Sequence, residues 1–350
     1  MRRAAATQSP DHGTWPPNGE ANATGQQINA LRGAALEQGD EPSSLARGRL
    51  DWANLLFLVL AHGAAGTGIW WAISHFNPWT LALAAVWMLL CSMSITAGYH
   101  RLFAHRTYEA ALWLRLLALL FGAASAQNSA LRWVADHRIH HAKVDRDQDP
   151  YNIHRGFLWA HIGWVVHRGE ALELSRVRDL QRDPLAMWQH RQYVPLAIGF
   201  GALLPAALAA LWGDALGGLL IAGFLRLVCQ YHATFATNSL AHSIGSRPYD
   251  RSTSARDFFI TALFTFGEGY HNFHHRFQND YRNGVRAWHF DPTKWLVYAL
   301  SLVGATRNLR RVSAEKITLA RQLASTPDLP LPRTPAPAFI IVAESSPPPL

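Results

Sequence analysis

"YVPLAIGFGALLPAALAALWGDALGGLLIAGFLRLVCQY" (residues 193–231) is two apolar runs broken only by Gly213 and Asp214. An α-helix needs about 20 residues to cross a hydrocarbon core of roughly 30 Å, and each run comes close to that length. Two such runs with a two-residue turn between them predict a membrane hairpin. A second pair lies upstream, at 52–73 and 79–99, joined by "SHFNP". Trp70, Trp71, Trp79 and Trp212 fall near the run ends, where interfacial aromatics belong. The sequence therefore predicts an all-α integral membrane protein with four transmembrane helices at about 52–73, 79–99, 193–212 and 215–231.

Charge orients these helices. Neither short connector holds a Lys or Arg, whereas 100–191 and the stretch after 239 are arginine-rich. The positive-inside rule then puts both termini and the long middle segment in the cytoplasm. That means a plasma membrane in a bacterium, or the endoplasmic reticulum in a eukaryote. The net charge of +8 reads as membrane topology; no compact basic domain or nucleic-acid motif accompanies it, so no nucleic-acid partner is expected. Only Cys91 and Cys229 are present, which excludes a disulfide framework, a Cys-based zinc site and a fused iron–sulfur module. Residues 1–45 have the composition of a disordered tail and no apolar core of a signal peptide. A folded domain is expected over 46–315, followed by a Pro-rich tail over 316–350. Runs 111–131 and 254–266 read as amphipathic segments lying along the cytoplasmic surface.

The polar residues between the runs carry the chemistry. "HRLFAH" (100–105), "DHRIHH" (136–141) and "HNFHH" (271–275) place eight histidines in three clusters, and "NSLAH" (238–242) adds a ninth. In a helix H-x-x-H-H aims its three rings at one point, because positions i, i+3 and i+4 share a face. If the fourth run stays helical through residue 240, Asn238 and His242 rise out of the lipid on the arginine-rich side. All the clustered histidines then meet at one membrane face. Neutral imidazole is a ligand for iron, zinc and copper, and nine rings would supply two ions. Paired Glu-x-x-His motifs and HExxH are both absent, so neither a carboxylate-bridged di-iron bundle nor a zinc hydrolase is indicated. An all-nitrogen site suits non-haem iron and oxygen chemistry better than hydrolysis.

The three boxes are similar to those of membrane fatty-acid desaturases. The text around them resembles the stearoyl/acyl-CoA Δ9 group: "AGYHRLFAHRTYEA", "WVADHRIHHAKVDRDQDPYN", "RGFLWAHIGWVV", "NSLAHSIGSRPYDRSTSARD" and "GEGYHNFHHRFQNDYR", across roughly 50–315. The resemblance implies a cytoplasmic helical cap holding two irons through His100, His105, His137, His140, His141, His242, His271, His274 and His275, with Asn238 reaching one iron through a water. It implies O₂-dependent insertion of a cis double bond at carbon 9 of a saturated acyl chain. The tunnel bend would be shaped by Gln127, Trp133 and Thr234, with Ser92 and Met88 as candidates for its end. Asn128, Asp136 and Arg168 match acyl-carrier contacts. Ala135 and Gly169 stand where those enzymes carry cations, so acyl-lipid and acyl-carrier-protein substrates stay open beside the favoured acyl-CoA. Asp136, Asp149 and Glu268 are candidates for orienting the imidazoles. No haem or iron–sulfur signature is seen in this sequence, so a separate electron donor is expected: ferredoxin, rubredoxin or cytochrome b5. The competing outcomes are hydroxylation by the same boxes and, more remotely, a non-catalytic membrane metal-binding protein.

Overall fold

The computed structural model describes residues 49–167 and 174–326. The tail expected over 1–45, and most of the one expected over 316–350, lie outside them. Among the described residues, four helices are long and apolar enough to cross a membrane: α1 (Trp52–Ser74), α2 (Pro78–Ala104), α7 (Tyr193–Ala210) and α8 (Ala215–Ser243). Between α2 and α7 run α3 (Leu112–Ala124), α4 (Ala130–Lys143), α5 (Phe157–His161) and α6 (Pro184–Arg191). After α8 come α9 (Phe259–Phe264), α10 (His271–Arg276), α11 (Pro292–Leu302) and α12 (Ala314–Ser325). One short antiparallel pair, Glu109–Ala110 with Thr306–Arg307, closes the edge of this cap.

Local sequence explains the helix starts. Asp51 caps α1 through the amide of Asn54, and Asn77 caps α2 with Pro78 in the first turn. Asp214, from the "GD" turn, does more than cap α8. Its carboxylate accepts from Trp71 Nε1 at 3.0 Å and Thr80 Oγ1 at 2.5 Å, and Trp212 Nε1 donates to Thr80 Oγ1 at 2.9 Å. One acidic residue thus ties the far ends of both hairpins together.

Two spans run on past their apolar runs, α8 as far as its expected helical continuation. α2 continues to Ala104 by winding into a π-helix from Ser94. Residues five apart lie about 140° apart on an α-helix, but i→i+5 bonding brings them nearly into register. His105 N donates to His100 O at 3.1 Å, so both rings of the first box point the same way. α8 reaches Ser243; its 29 residues make about 43 Å, well past the hydrocarbon thickness. Arg138 of α4, almost fully buried, grips Asp179 with two bonds of 2.8 Å and the carbonyls of Phe103 and Ala104, fixing α4 against the end of α2.

Three local expectations change. Run 111–131 is not one segment: α3 ends at Ala124, Ala126 and Asn128 take positive φ, and α4 begins at Ala130. Run 254–266 gives only the six residues of α9. The boundary at 315 is crossed by α12, whose Ile317 and Ala320 pack on Tyr249 and Phe273.

Candidate metal centre and acyl chamber

All nine boxed histidines converge, in two groups. His100, His105, His137, His141 and His274 form one; His140, His242, His271 and His275 form the other. Within each group the candidate ligand atoms lie within 4.8 Å of one another. The expectation that each H-x-x-H-H aims at a single point is therefore corrected. His137 and His141 serve the first group while His140, between them, serves the second; His271 and His275 serve the second while His274 serves the first. The i, i+4 pair straddles the ring at i+3, which leans the other way round the helix.

Ring nitrogens face each other without hydrogen-bond logic. Nε2–Nε2 separations are 3.0 Å for His100–His274, 3.0 Å for His141–His274, 2.8 Å for His105–His137 and 3.1 Å for His271–His275. The tautomers at two of these rings are set from behind. Glu268 Oε2 lies 2.9 Å from His100 Nδ1, and Asp149 Oδ1 lies 2.8 Å from His140 Nδ1. A carboxylate there keeps the proton on Nδ1 and leaves Nε2 as a bare lone pair. Bare lone pairs turned inward at about 3 Å are what two ligands show when each sits about 2.1 Å from a shared ion at a right angle. The donor set fits two transition-metal ions.

Burial supports the same protonation. It pushes His137, His141, His274 and His275 well below the usual imidazole range, with neighbouring rings adding to the effect. His271 falls to about 3, by burial and then by His140. Glu268 goes the other way from its burial: His100 and Arg101 outweigh desolvation and hold it at about 2.

Residues that the sequence reading missed complete the surround. His242 Nδ1 is 2.7 Å from Ser254 Oγ, and Ser254 donates in turn to Asp145. Arg101, almost wholly buried, donates to Glu268 at 3.0 Å and lies 3.0 Å from Asp291; Asn283 Nδ2 donates to Glu268 Oε2 at 2.7 Å. Nothing in "STSARD" distinguishes Ser254 from its neighbours, since its role depends on a contact across 109 positions to Asp145. Of the three expected orienting carboxylates, Asp149 and Glu268 face imidazoles. Asp136 has no imidazole partner; burial raises it to about 6 against the pull of Arg132. In "GEG", Gly267 adopts φ +100°, and a Cβ on Gly269 would lie 2.2 Å from Ala262 N.

A chamber opens beside both groups. His100, His137, His140, His271 and Asn238 line it at one end, with Ser92, Trp133 and Thr234 among its other walls. Gln127 links two of these: its Nε2 donates to Thr234 Oγ1 at 2.9 Å, and Trp133 Nε1 donates to its Oε1 at 3.3 Å. Met88 is not among the lining residues. Of the expected carrier contacts, Asn128 is exposed with φ +75°, its N–H donating to Tyr193 Oη at 3.0 Å. Asp136 is half-buried, and Arg168 lies outside the described residues, as does Gly169. Ala135 is fully buried in the core beside Leu131 and Val134.

Comparison with known proteins agrees with this geometry. The family model for fatty acid desaturases matches residues 77–301. The chain is 47% identical over 233 residues to a probable acyl-CoA desaturase of Schizosaccharomyces pombe, covering 66% of this chain and 49% of that protein. It is 40% identical over 276 residues to acyl-CoA desaturase 1 of Saccharomyces cerevisiae, covering 77% and 53%. It is 34% identical over 284 residues to the Delta(9)-fatty-acid desaturase fat-7 of Caenorhabditis elegans, covering 78% and 82%. It thus spans about half the length of its two yeast relatives and most of the nematode one. With all four boxes of this chain gathered at one site and the matched region running from the second span to α11, the chain belongs to the fatty acid desaturase family.

Proposed function

We propose that this protein is an O₂-dependent Δ9 acyl desaturase, with acyl-CoA as the favoured substrate and two irons as its cofactor. The observation that carries the reading is the adjacency of the two histidine groups to one chamber, which shares His100, His137, His140 and His271 with them. The five-histidine and four-histidine groups would hold one iron each, with Asn238, which also lines the chamber, reaching one of them through a water. When bound, such a pair supplies the oxygen chemistry that removes hydrogen from an unactivated C–H bond, which side-chain acid–base catalysis does not reach.

The remaining work falls to the chain's own side chains. Glu268, Asp149 and Ser254 fix ring orientation through Nδ1, so that each Nε2 stays a donor to metal. A saturated chain offers no polar handle near its middle, and its reacting carbons are selected by where the chamber holds them. The Trp133–Gln127–Thr234 bonds make that wall rigid, and Trp133 stacks on His137 at 4.9 Å, tying wall to ligand. Reduction of O₂ to two waters takes two electrons from the substrate and two from elsewhere. A separate carrier (ferredoxin, rubredoxin or cytochrome b5) meets that need, and the arginine-rich face around the histidines suits an acidic one on the cytoplasmic side.

The test is expression in a host lacking its own Δ9 desaturase, with gas chromatography and double-bond mapping of its lipids. New monounsaturated chains with the bond at carbon 9 are expected. New hydroxy acids would instead assign hydroxylation. Unchanged lipids from an iron-loaded, reduced protein would refute an enzymatic role. Purified protein given stearoyl groups on CoA, phospholipid and carrier protein then separates the carriers.

A further inference from the structure

Deep in α8 sits a cation with no carboxylate among its hydrogen-bond partners. Arg226 is 3% exposed, and its guanidinium donates to Ala222 O at 3.1 Å, Ala124 O at 3.2 Å and Gly201 O at 3.1 Å. Gly201 and Ala222 belong to π-wound stretches of α7 and α8, and Ala124 ends α3. Irregular winding frees carbonyls that lipid cannot satisfy, and an ionisable residue at that depth usually marks function. The guanidinium satisfies all three, and its remaining bond goes to Gln230 Oε1 at 3.1 Å.

Gln230 is where this network meets the chamber. Its Nε2 donates to Ser125 Oγ at 2.9 Å, so the amide is held at both ends, and the side chain lines the chamber wall. The lining residues of α8 are Asn238, Thr237, Thr234, Ala233 and Gln230, a single helical stripe descending from the histidines. Gln230 is its lowest member, eight positions below Asn238, or about 12 Å. A carbon–carbon bond of ~1.5 Å advances an extended chain by roughly 1.3 Å, so that depth takes roughly nine carbons. Ser92, low on the facing stripe of α2, is too small to form a stop alone.

We propose that Gln230 is a specificity-determining residue, a fixed floor that ends the acyl chain roughly nine carbons beyond the reacting position. Arg226 and Ser125 act as positioning residues that keep the amide from swinging aside. The inference rests on the desaturase reading and sharpens it: with reaction at carbon 9, eighteen-carbon chains fit and longer ones meet the amide.

The experiment is competition among saturated 16-, 18-, 20- and 22-carbon acyl-CoAs, with products resolved by chain length and bound iron measured in each sample. Q230A is expected to raise the 20-to-18-carbon product ratio about tenfold or more, since even one methylene of misfit is worth about that in a closed pocket. Q230F is expected to shift products towards 16 carbons. R226Q, which unpins the amide, is expected to broaden the length distribution at unchanged iron content, a change that mere loss of stability would not give. If Q230A fails to accumulate, Q230N keeps the amide, retreats by one methylene and should shift the ratio in the same direction. Unaltered product lengths in active Q230A, or in Q230N where Q230A cannot be made, overturn the floor while leaving desaturation intact. Absence of desaturation in the parent protein with every chain would remove the functional reading beneath it.

Discussion

Asp149→Asn should weaken the hold on one metal ion and spare the other. Asp149 is 2% exposed; its Oδ1 faces His140 Nδ1 at 2.8 Å and accepts from Tyr151 N at 3.0 Å, while its Oδ2 accepts from Asp145 N at 3.2 Å. An amide fills the same volume but brings an NH₂ group. In one orientation that group meets the Asp145 N–H, and in the other it meets the proton on His140 Nδ1. Each arrangement sets donor against donor and deletes the charge that makes Nε2 basic. Loss of such an outer partner weakens metal binding by about 10–100-fold, which is about 1.4–2.7 kcal/mol. His140 belongs only to the four-histidine group, and the five-histidine group keeps its own carboxylate at Glu268. Titration of purified protein with an iron chelator, with retained iron read by mass spectrometry, should give two equal release steps. In D149N one step moves to 10–100-fold lower chelator and the other stays in place. Equal displacement of both steps, or of neither, would refute the division of the nine histidines.

Four further outcomes follow from other contacts. Arg101→Met strands Glu268 and Asp291 as buried anions, at a cost of about 3–5 kcal/mol by thermal or denaturant unfolding. Arg115→Met, which breaks a half-exposed pair with Asp183, should cost at most about 1 kcal/mol in the same assay, and equal losses would contradict the burial argument. Glu268 is held at about 2 against an ordinary 4.5, so its contribution to the metal-free protein is complete above about pH 4.5 and lost as pH falls towards 2. Melting temperature should therefore decline below pH 4.5 in the parent and decline less in E268Q, and parallel curves would deny the depressed carboxyl. Gly269→Ala forces a Cβ against the backbone of Ala262, which overpacks by about 1–3 kcal/mol and should lower iron retention by displacing the third box.

Much of this site can be read in the sequence because its parts are repeated or long. Four apolar runs announce four spans, and a histidine is conspicuous when five positions hold three of them. What stays hidden depends on winding and on distant contacts. No apolar pattern signals that α2 turns to π at Ser94, yet that change alone brings His100 and His105 into one group. Arg101 looks like one more cytoplasmic arginine, although it is almost completely buried between carboxylates 167 and 190 positions away. Arg226 likewise belongs by composition to an apolar run, and only the packing of α3 and α7 around it supplies two of its four acceptors. Met88 shows the converse: its helical spacing from His100 suggests a tunnel position, but it is not among the residues that line the chamber.

The exchange of rings between boxes has a mechanical consequence. α4 gives two rings to the first group and one to the second, and α10 does the reverse. Neither helix can shift without disturbing both groups, so the separation between them depends on α4 and α10 together rather than on either group alone. Two sites assembled from separate helices would drift independently as side chains relaxed. Here the span ends contribute the remaining three, His100 and His105 at the end of α2 and His242 from α8; His100 is held from behind by Glu268 and His242 by Ser254. The cap is thereby locked to the spans through the ligands themselves. A chamber walled by those same spans then keeps its depth relative to the metals, which is the condition for a floor at Gln230 to select chain length at all.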